Sequence, residues 1–117
     1  MTISEQCRRD GRAVCQIHQM FLEEFRRNIP ATYIISFMLV IEEEGLSLND
    51  YAERSGIEGS PKSVMSRILL DVGDRRPLGL GLVTSRPRPD GPHAIILTAK
   101  GREMAERISE ILHSKGD

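Results

Sequence analysis

The first part of the chain repeats apolar and small side chains at the spacing of a helix. From Ser4 to Arg27, one line of residues recurs alternately four and three positions apart, and most charged residues lie off it. This line consists of Cys7, Gly11, Val14, His18, Phe21 and Phe25. Such a heptad-like seam predicts an amphipathic helix over about residues 4–28 that packs along a partner helix. Because further apolar residues widen the face, we expect the helix to pack on its own domain and on a second subunit.

Three shorter helices are predicted in the middle of the chain from their start and stop residues. Pro30 suits a first helical turn, and residues 33–41 are apolar almost all round, which predicts a central, buried helix. Residues 47–50 (SLND) resemble a capping box, so a short helix is expected to begin there and to end at Gly56. Residues 60–61 (SP) begin the third helix, with serine as N-cap and proline in the first turn.

Two short strands and a last helix are predicted in the final third of the chain. Residues 74–81 contain too much glycine and proline for a helix and are expected to form a loop. Residues 82–84 (LVT) and 94–97 (AIIL) predict the strands of a hairpin. Three prolines between them predict an exposed, stiff connection, because proline cannot donate to a strand ladder. Thr98 is suited to cap a final helix that runs to about residue 113.

The order of these elements predicts a mainly α fold with a small β-hairpin, namely a winged helix-turn-helix. A chain of 117 residues has room for one ordinary domain. We expect a DNA-binding lobe over about 31–98, flanked by long dimerisation helices over about 4–28 and 98–113. The small core would be completed by a second copy of the chain, so a homodimer is expected.

Composition and motifs exclude several classes of protein. The chain has 39% hydrophobic and 28% charged residues and no apolar run near the ~20 residues that a membrane span needs. The N-terminus shows no secretory signal, so a cytoplasmic protein without membrane contact is expected. Cys7 and Cys15 form neither a disulfide framework nor a zinc pattern. Since no nucleophile–base pair, phosphate loop or metal-ligand spacing stands out, we expect no enzyme activity, no cofactor and no metal.

Charge is separated along the chain although its net value is only −1. Residues 60–93 carry six basic and three acidic side chains, whereas the rest carries ten basic and fourteen acidic ones, including the run 42–44, which is expected to be a solvated helix end. A basic helix and a basic hairpin tip suit contact with double-stranded DNA in the major groove and along the flanking backbone or minor groove. The candidate DNA-binding residues are Ser60, Lys62, Ser63, Ser66, Arg67, Arg75, Arg76, Arg86, Arg88 and His93.

Several segments resemble the MarR-type transcriptional regulators. Residues 47–57 (SLNDYAERSGI) resemble the first helix and turn of that family, and residues 63–67 (SVMSR) resemble its recognition helix, which often carries a Ser-Arg pair. Residues 81–83 (GLV), followed by 96–101 (ILTAKG), resemble its strand, wing and return into the last helix. The resemblance covers about residues 15–112. It implies a homodimeric, DNA-binding transcriptional regulator that is joined through its first and last helices.

The chain departs from the MarR pattern in two places. Residues 73–80 make the link from recognition helix to strand longer than is usual in the family. The wing of the family often holds Asp-x-Arg, whose arginine enters the minor groove, whereas here Asp90 is followed by Gly-Pro. That role is therefore expected to fall to Arg86, Arg88 or His93.

Other functions are compatible with the same pattern. A winged helix also serves as a protein–protein interaction module without DNA binding, since a fold alone does not determine function. A repressor could also respond to a small-molecule effector held between the first helices and the DNA-binding lobe, although no polar cluster identifies its ligand. A redox response would require a reactive thiol at Cys7 or Cys15.

Overall fold

A computed structural model describes residues 2–57 and 61–113, which form five helices and one β-hairpin. In chain order these are α1 (Glu5–Phe25), α2 (Ala31–Glu42), α3 (Leu48–Ser55), α4 (Pro61–Val72), β1 (Val83–Arg88), β2 (Gly91–Leu97) and α5 (Ala99–Leu112). This order confirms the predicted mainly α fold of the winged helix-turn-helix type. Within the described ranges, no helix is both long enough and apolar enough to cross a membrane.

The chain divides into two compact units. The hairpin unit runs from Pro30 to Glu103 and contains α2, α3, α4, both strands and the start of α5. The terminal unit combines the chain up to Ile29 with the chain from Met104 onward, and so contains α1 and the rest of α5.

The hairpin unit is built around α2, which contacts α3, α4 and β2. Ile34, Phe37 and Val40 of α2 are buried, as its nearly continuous apolar sequence predicts. Ser36 is buried on the same helix, and its hydroxyl donates to the carbonyl oxygen of Thr32 at 2.8 Å. A polar group can therefore lie in this core because its hydrogen bond is made locally.

The start of α3 is the predicted capping box. The Ser47 hydroxyl accepts from the backbone N–H of Asp50 at 3.3 Å, and the Asp50 carboxylate accepts from the backbone N–H of Ser47 at 3.1 Å. These bonds from Ser47 stabilise the charged carboxylate and lower the pKa of Asp50 below its ordinary value. Gly56 ends the helix with a positive φ of 68°, a conformation that glycine adopts without steric cost.

The hairpin is longer than the sequence predicts. We expected a loop over 85–93, but β1 continues to Arg88 and β2 begins at Gly91. The register pairs Arg86 with Ala94 and Arg88 with Gly91, and is irregular between these two pairs. Pro87 lies at this irregularity, so its missing N–H interrupts no regular pair, which is why proline is tolerated here.

The predicted loop between α4 and β1 folds back onto the end of α4. Its backbone N–H groups at Leu80, Gly81 and Leu82 donate to the carbonyl oxygens of Asp71, Gly73 and Val72, at 2.8 to 2.9 Å. A Cβ atom on Gly79 would lie 2.4 Å from the Gly73 carbonyl oxygen, so this close approach requires glycine. The longer link is therefore a hydrogen-bonded extension of α4 rather than a loose connection.

The last helix begins as predicted at Thr98. The Thr98 hydroxyl accepts from the backbone N–H of Gly101 at 3.0 Å and donates to the Gly81 carbonyl oxygen at 2.6 Å. A Cβ atom on Gly101 would lie 2.0 Å from the carbonyl oxygen of Leu82. The first turn of α5 is thereby fixed against the residues that lead into β1.

The terminal unit contains the predicted long first helix, with a buried line that differs from the expected seam. Ile17, Met20 and Phe21 of α1 are buried, and so are Met104 and Ile108 of α5. The expected seam residues Cys7, Gly11, Val14 and His18 are exposed in the single chain, whereas Phe21 is buried and Phe25 is half-buried. An ion pair between Arg107 and Glu24, at 3.2 Å, joins the two helices of this unit.

Candidate nucleic-acid interface

The outer face of α4 carries the residues predicted for the recognition helix. Met65, Ile68, Leu69 and Val72 recur at i, i+3, i+4 and i+7 and are buried, so the helix packs on one face. The other face presents Lys62, Ser63 and Arg67 as exposed side chains and Ser66 as a half-buried one. Ser60 lies outside the described residues.

The wing presents Arg86 to solvent. Because β1 extends to Arg88, Arg86 lies on a paired strand and not on the loop that we expected. Three of the predicted cations have no ion-pair or hydrogen-bond partner among residues 2–57 and 61–113, namely Lys62, Arg67 and Arg86. Their charges are therefore available to an external anion.

Arg88 is exposed but is held by the backbone of its own unit. Its Nε donates to the carbonyl oxygen of Pro92 at 2.8 Å, and its Nη1 donates to that of Gly45 at 3.4 Å. The guanidinium thus links the hairpin tip to the connection between α2 and α3. Arg88 is therefore oriented by its own unit, and its contact with DNA stays a prediction.

Asp71, near the end of α4, binds Arg76 and Tyr33. Its Oδ1 pairs with Nη1 of Arg76 at 2.5 Å, while its Oδ2 accepts from the Tyr33 hydroxyl at 2.5 Å. The side chain of Arg76 is therefore paired within the loop that folds back onto α4 while it remains exposed, and its contact with DNA stays a prediction. Arg75 turns towards the wing instead, and its Nη2 donates to the carbonyl oxygen of Ser85 at 3.3 Å.

A groove of about 440 Å³ lies within the hairpin unit, between the start of α3, the face of α4 and the wing. We call it the α4–wing groove. It brings four predicted site residues together at one place, since Lys62, Ser66, Arg75 and His93 all line it. The Nδ1 atom of His93 lies 3.0 Å from the Ser85 hydroxyl oxygen on the opposite strand.

Two residues that position this surface were not predicted. Tyr51 is fully buried, and its hydroxyl donates to the Glu43 carbonyl oxygen at 2.7 Å while it accepts from the Leu46 N–H at 3.2 Å. Burial raises the pKa of Tyr51 above its ordinary value. Both contacts hold the α2–α3 connection, whose Gly45 and Leu46 exchange backbone hydrogen bonds with Ile95 of β2 at 2.8 and 2.9 Å.

The second residue that positions this surface is Glu44. It belongs to the acidic run 42–44, which we expected to be a solvated helix end but which makes specific contacts. Glu43 pairs with Arg54 at 2.8 Å, and this hydrogen bond raises the pKa of Arg54. Glu44 accepts from the backbone N–H of Leu97 at 3.1 Å and pairs with Arg102 at 2.9 Å. Glu44 thereby ties the end of α2 to the wing and to α5, and the only local signal was its position just before Gly45.

The described cysteines and acidic residues were also compared with disulfide and metal sites. Cys7 and Cys15 are exposed thiols on α1 and form no disulfide. No group of three or more His, Cys, Asp or Glu side chains within the described part of the chain is placed to hold a metal ion.

Comparison with known proteins shows similarity at the level of fold. No protein-family model matches the chain, and no curated protein sequence matches it significantly. The structure of RV1404 from Mycobacterium tuberculosis aligns with a TM-score of 0.62 and 17% identity, over 95% of this chain and 75% of that one. The transcriptional repressor CouR, bound to a 23-mer DNA duplex, aligns with a TM-score of 0.51 and 22% identity, over 91% of this chain and 71% of that one. The chain therefore shares the winged-helix fold of these proteins.

Proposed function

We propose that this protein is a MarR-like transcriptional regulator that binds duplex DNA in a sequence-specific manner as a homodimer. The observation that carries the proposal is the exposed set Lys62, Arg67 and Arg86 on α4 and the wing, without partners among the described residues. Cations in a folded protein are ordinarily solvated singly or paired, and a cationic helix beside a cationic hairpin is typical of a DNA-binding surface.

The α4 helix would enter the major groove, which is wide enough to admit a helix. Arg67 would then reach a base edge, where arginine pairs with guanine, and Lys62 would contact a phosphate. Ser63 and Ser66, on the same helix, would contact base edges or the backbone. Arg86 would bind the flanking backbone or minor groove. It would thereby replace the arginine of the Asp-x-Arg motif, which this wing lacks. The duplex bound by CouR, whose fold this chain shares, supports DNA as the partner.

The homodimer is supported by apolar side chains that the single chain leaves exposed on the terminal helices. Val14 of α1 is 53% exposed and Leu112 of α5 is 55% exposed, and Leu22 of α1 is exposed as well. Apolar surface of this kind is typical of an interface between subunits. A two-fold dimer would place two α4 helices on half-sites about one helical turn apart, so the preferred DNA should be palindromic.

The test begins with selection of bound duplexes from a random pool, followed by fluorescence anisotropy at several salt concentrations. Each phosphate that the protein neutralises adds about 0.9 to the steepness of log K against log salt. Arg86→Gln should therefore weaken binding and make this slope shallower by about 1 for each phosphate that the side chain neutralises. Arg67→Gln should instead relax the base preference at one position of the half-site.

Arg9→Gln is the matched control, because Arg9 is exposed on α1 and lies 3.9 Å from Glu5, outside the hairpin unit. It removes the same charge and should leave the slope unchanged. Absence of salt-sensitive binding by the purified dimer, or equal slopes for Arg86→Gln and the unaltered protein, would contradict the proposal. Stable capture of a protein partner without any DNA binding would favour an interaction module.

A further inference from the structure

A carboxylate lies where β2 ends, and contact with DNA gives it no role. Glu44 lies between the end of α2 and Gly45, in the unit that presents the cations Lys62, Arg67 and Arg86. A carboxylate repels phosphate, so an acid in this unit weakens the binding of a duplex. The side chain of Glu44 is nevertheless only 29% exposed and is held by contacts within its own unit. These contacts, and not DNA, account for its position.

The outer edge of β2 pairs with the α2–α3 connection instead of with a third strand. The backbone N–H of Gly45 donates to the carbonyl oxygen of Ile95 at 2.8 Å, and the N–H of Ile95 donates to that of Leu46 at 2.9 Å. The next N–H on this edge belongs to Leu97, because alternate residues of a strand direct their backbone groups to the same side. That N–H donates to Oε1 of Glu44 at 3.1 Å, so a side chain continues the ladder where the backbone pairing stops.

The carboxylate is itself oriented by α5. The Nη2 atom of Arg102 lies 2.9 Å from Oε1 and 3.0 Å from Oε2 of Glu44, so one nitrogen binds both oxygens. An exposed ion pair of this kind contributes little free energy, but it restricts the direction in which the carboxylate points. Oε1 is thereby shared between Leu97 and Arg102. The end of α2, the end of β2 and the start of α5 meet at this one group.

The hairpin depends on such contacts to keep one direction relative to α4, because an isolated pair of strands is only marginally stable. The α2 helix is the common support of both elements. Its Ser36 hydroxyl contacts the sulfur of Met65 in α4 at 3.5 Å, while Glu44, just past its end, binds the wing. Arg86 pairs with Ala94 of β2, so a displacement of β2 moves Arg86 as well. The separation between Arg86 and α4 thus depends on how firmly β2 is held.

We propose that Glu44 is a positioning residue for DNA binding, which fixes the wing and its Arg86 at the separation from α4 that a duplex requires. This role rests on the proposed function and adds to it a residue outside the DNA surface. The expected effect of a substitution is the reverse of that from charge alone. Removal of an acid should strengthen DNA binding by simple electrostatics, whereas loss of the Glu44 acceptor weakens it.

Two variants that lose the same charge separate the hydrogen bond from the charge. Glu44→Gln keeps an oxygen that can accept from the Leu97 N–H, whereas Glu44→Met has nearly the same length and only a weak acceptor. In anisotropy on the selected duplex, Glu44→Met should raise Kd about fivefold or more and make the salt slope shallower, and Glu44→Gln should stay within about twofold of the unaltered protein. Glu42→Met is the control, because Glu42 is an exposed acid at the end of the same helix, and it should bind DNA at least as tightly as the unaltered protein.

The hold on the wing is measured separately, without DNA, by hydrogen exchange of the Leu97 amide followed by NMR. Glu44→Met should exchange this amide about tenfold faster or more, and Glu44→Gln should retain most of the protection. Equally slow exchange at Leu97 in Glu44→Met and in the unaltered protein would overturn the role of the carboxylate. Circular dichroism identifies folded variants, and Glu44→Ala, which removes the same acceptor, replaces Glu44→Met if that variant does not fold.

The two experiments distinguish failure of this role from failure of the proposed regulator. If exchange at Leu97 behaves as expected but the unaltered protein binds no duplex, the regulator and the DNA role of Glu44 fail, while its hold on the wing stands. If the unaltered protein binds the duplex with the expected salt slope but Glu44→Met binds as tightly as Glu44→Gln, the regulator stands and the positioning role fails.

Discussion

Tyr51 connects segments that are distant in sequence through one hydroxyl group. The ring is buried, and the hydroxyl oxygen joins the Glu43 carbonyl to the Leu46 N–H. The same oxygen lies 3.5 Å from the carbonyl oxygen of Ile95 in the wing. These buried polar groups are all hydrogen-bonded. Removal of the hydroxyl alone would leave its backbone partners buried without a hydrogen bond, which costs more free energy than a site that lacks both partners.

Replacement of Tyr51 by phenylalanine keeps the ring and removes these hydrogen bonds. We expect Tyr51→Phe to lower the free energy of unfolding by about 1–3 kcal/mol, since two backbone groups lose a partner. Urea denaturation followed by circular dichroism measures this difference. A midpoint equal to that of the unaltered protein would show that water replaces the hydroxyl.

The same variant has a defined pH dependence. Because burial raises the pKa of Tyr51 above 10.0, the unfolded chain releases the phenolic proton at lower pH than the folded chain does. The folded state then binds more protons, so the contribution of Tyr51 is complete below about pH 10 and is lost as the pH rises further. Denaturation curves should show that the stability difference between Tyr51→Phe and the unaltered protein narrows above about pH 10. A difference that widens there would contradict the raised pKa.

Side chains whose partners are near in sequence could be predicted, and those with distant partners could not. Ser47 and Thr98 cap helices through N–H groups three residues away, which the sequence displays directly. Arg88 binds Gly45, 43 residues away, and Glu44 binds Arg102, 58 residues away. Such pairs depend on the complete fold, so the sequence alone could not show the hydrogen bond from Arg88 to Gly45, and it suggested a solvated end for Glu44.

Replacement of glycine by alanine is expected to have opposite effects on stability in α1 and α5. A Cβ atom on Gly101 of α5 would lie 2.0 Å from the Leu82 carbonyl oxygen, whereas one on Gly11 of α1 would meet nothing within 4 Å. Gly101→Ala should therefore cost about 2 kcal/mol or more, because backbone must move to admit a methyl group. Gly11→Ala, the matched control, should stabilise by about 0.5–1 kcal/mol, because alanine restricts the unfolded chain.

Thermal or urea denaturation of both glycine variants distinguishes the two sites. Equal effects would show that the first turn of α5 is free to move away from the residues leading into β1. The sequence contained no signal for this difference, because both glycines lie inside patterns that predict helix equally well.

The helix α4 was predicted more accurately from its sequence than the two strands of the wing. The helical period of 3.6 residues is clear in α4, where Met65, Ile68 and Leu69 are buried on one face. The wing was predicted too short, because three prolines suggested an end to pairing. An irregularity in the register between Arg86 and Arg88 accommodates Pro87, and pairing resumes beyond it. Whether a proline ends a strand depends on the partner strand, which local sequence does not contain.

The complete molecule is expected to be a dimer through the terminal unit. Val14→Glu places a charge on an exposed apolar position of α1 and should raise the dimer dissociation constant by about tenfold or more, equivalent to ~1.4 kcal/mol. Sedimentation equilibrium measures this constant, and DNA affinity for a two-half-site duplex should fall with it. Gln16→Glu adds the same charge at an exposed polar position and serves as control. A monomeric unaltered protein at micromolar concentration would reject the dimer.

The sequence indicated which elements carry the basic residues of the candidate site, but not which of those residues have partners within the fold. The excess of basic residues over 60–93 pointed to α4 and the wing, and the structure places Lys62, Arg67 and Arg86 on exposed surfaces of those elements. It also engages Arg76 with Asp71 and Arg75 with Ser85. All five side chains are exposed, and a count of charges cannot show which of them already bind a partner within the fold.

The division of the chain into two units determines where a protease could separate them. One boundary falls between Ile29 and Pro30, shortly after α1 ends at Phe25. The next residue, Arg26, caps the helix with a φ of 56°, which is unusual for a residue with a side chain. The other boundary falls inside α5, between Glu103 and Met104, where the backbone is continuously helical. Trypsin can therefore cleave near the first boundary, after the exposed Arg26 or Arg27. At the second boundary the helical backbone of α5 protects the chain from cleavage. Limited digestion at the first boundary should leave the wing and the whole of α5 on one fragment.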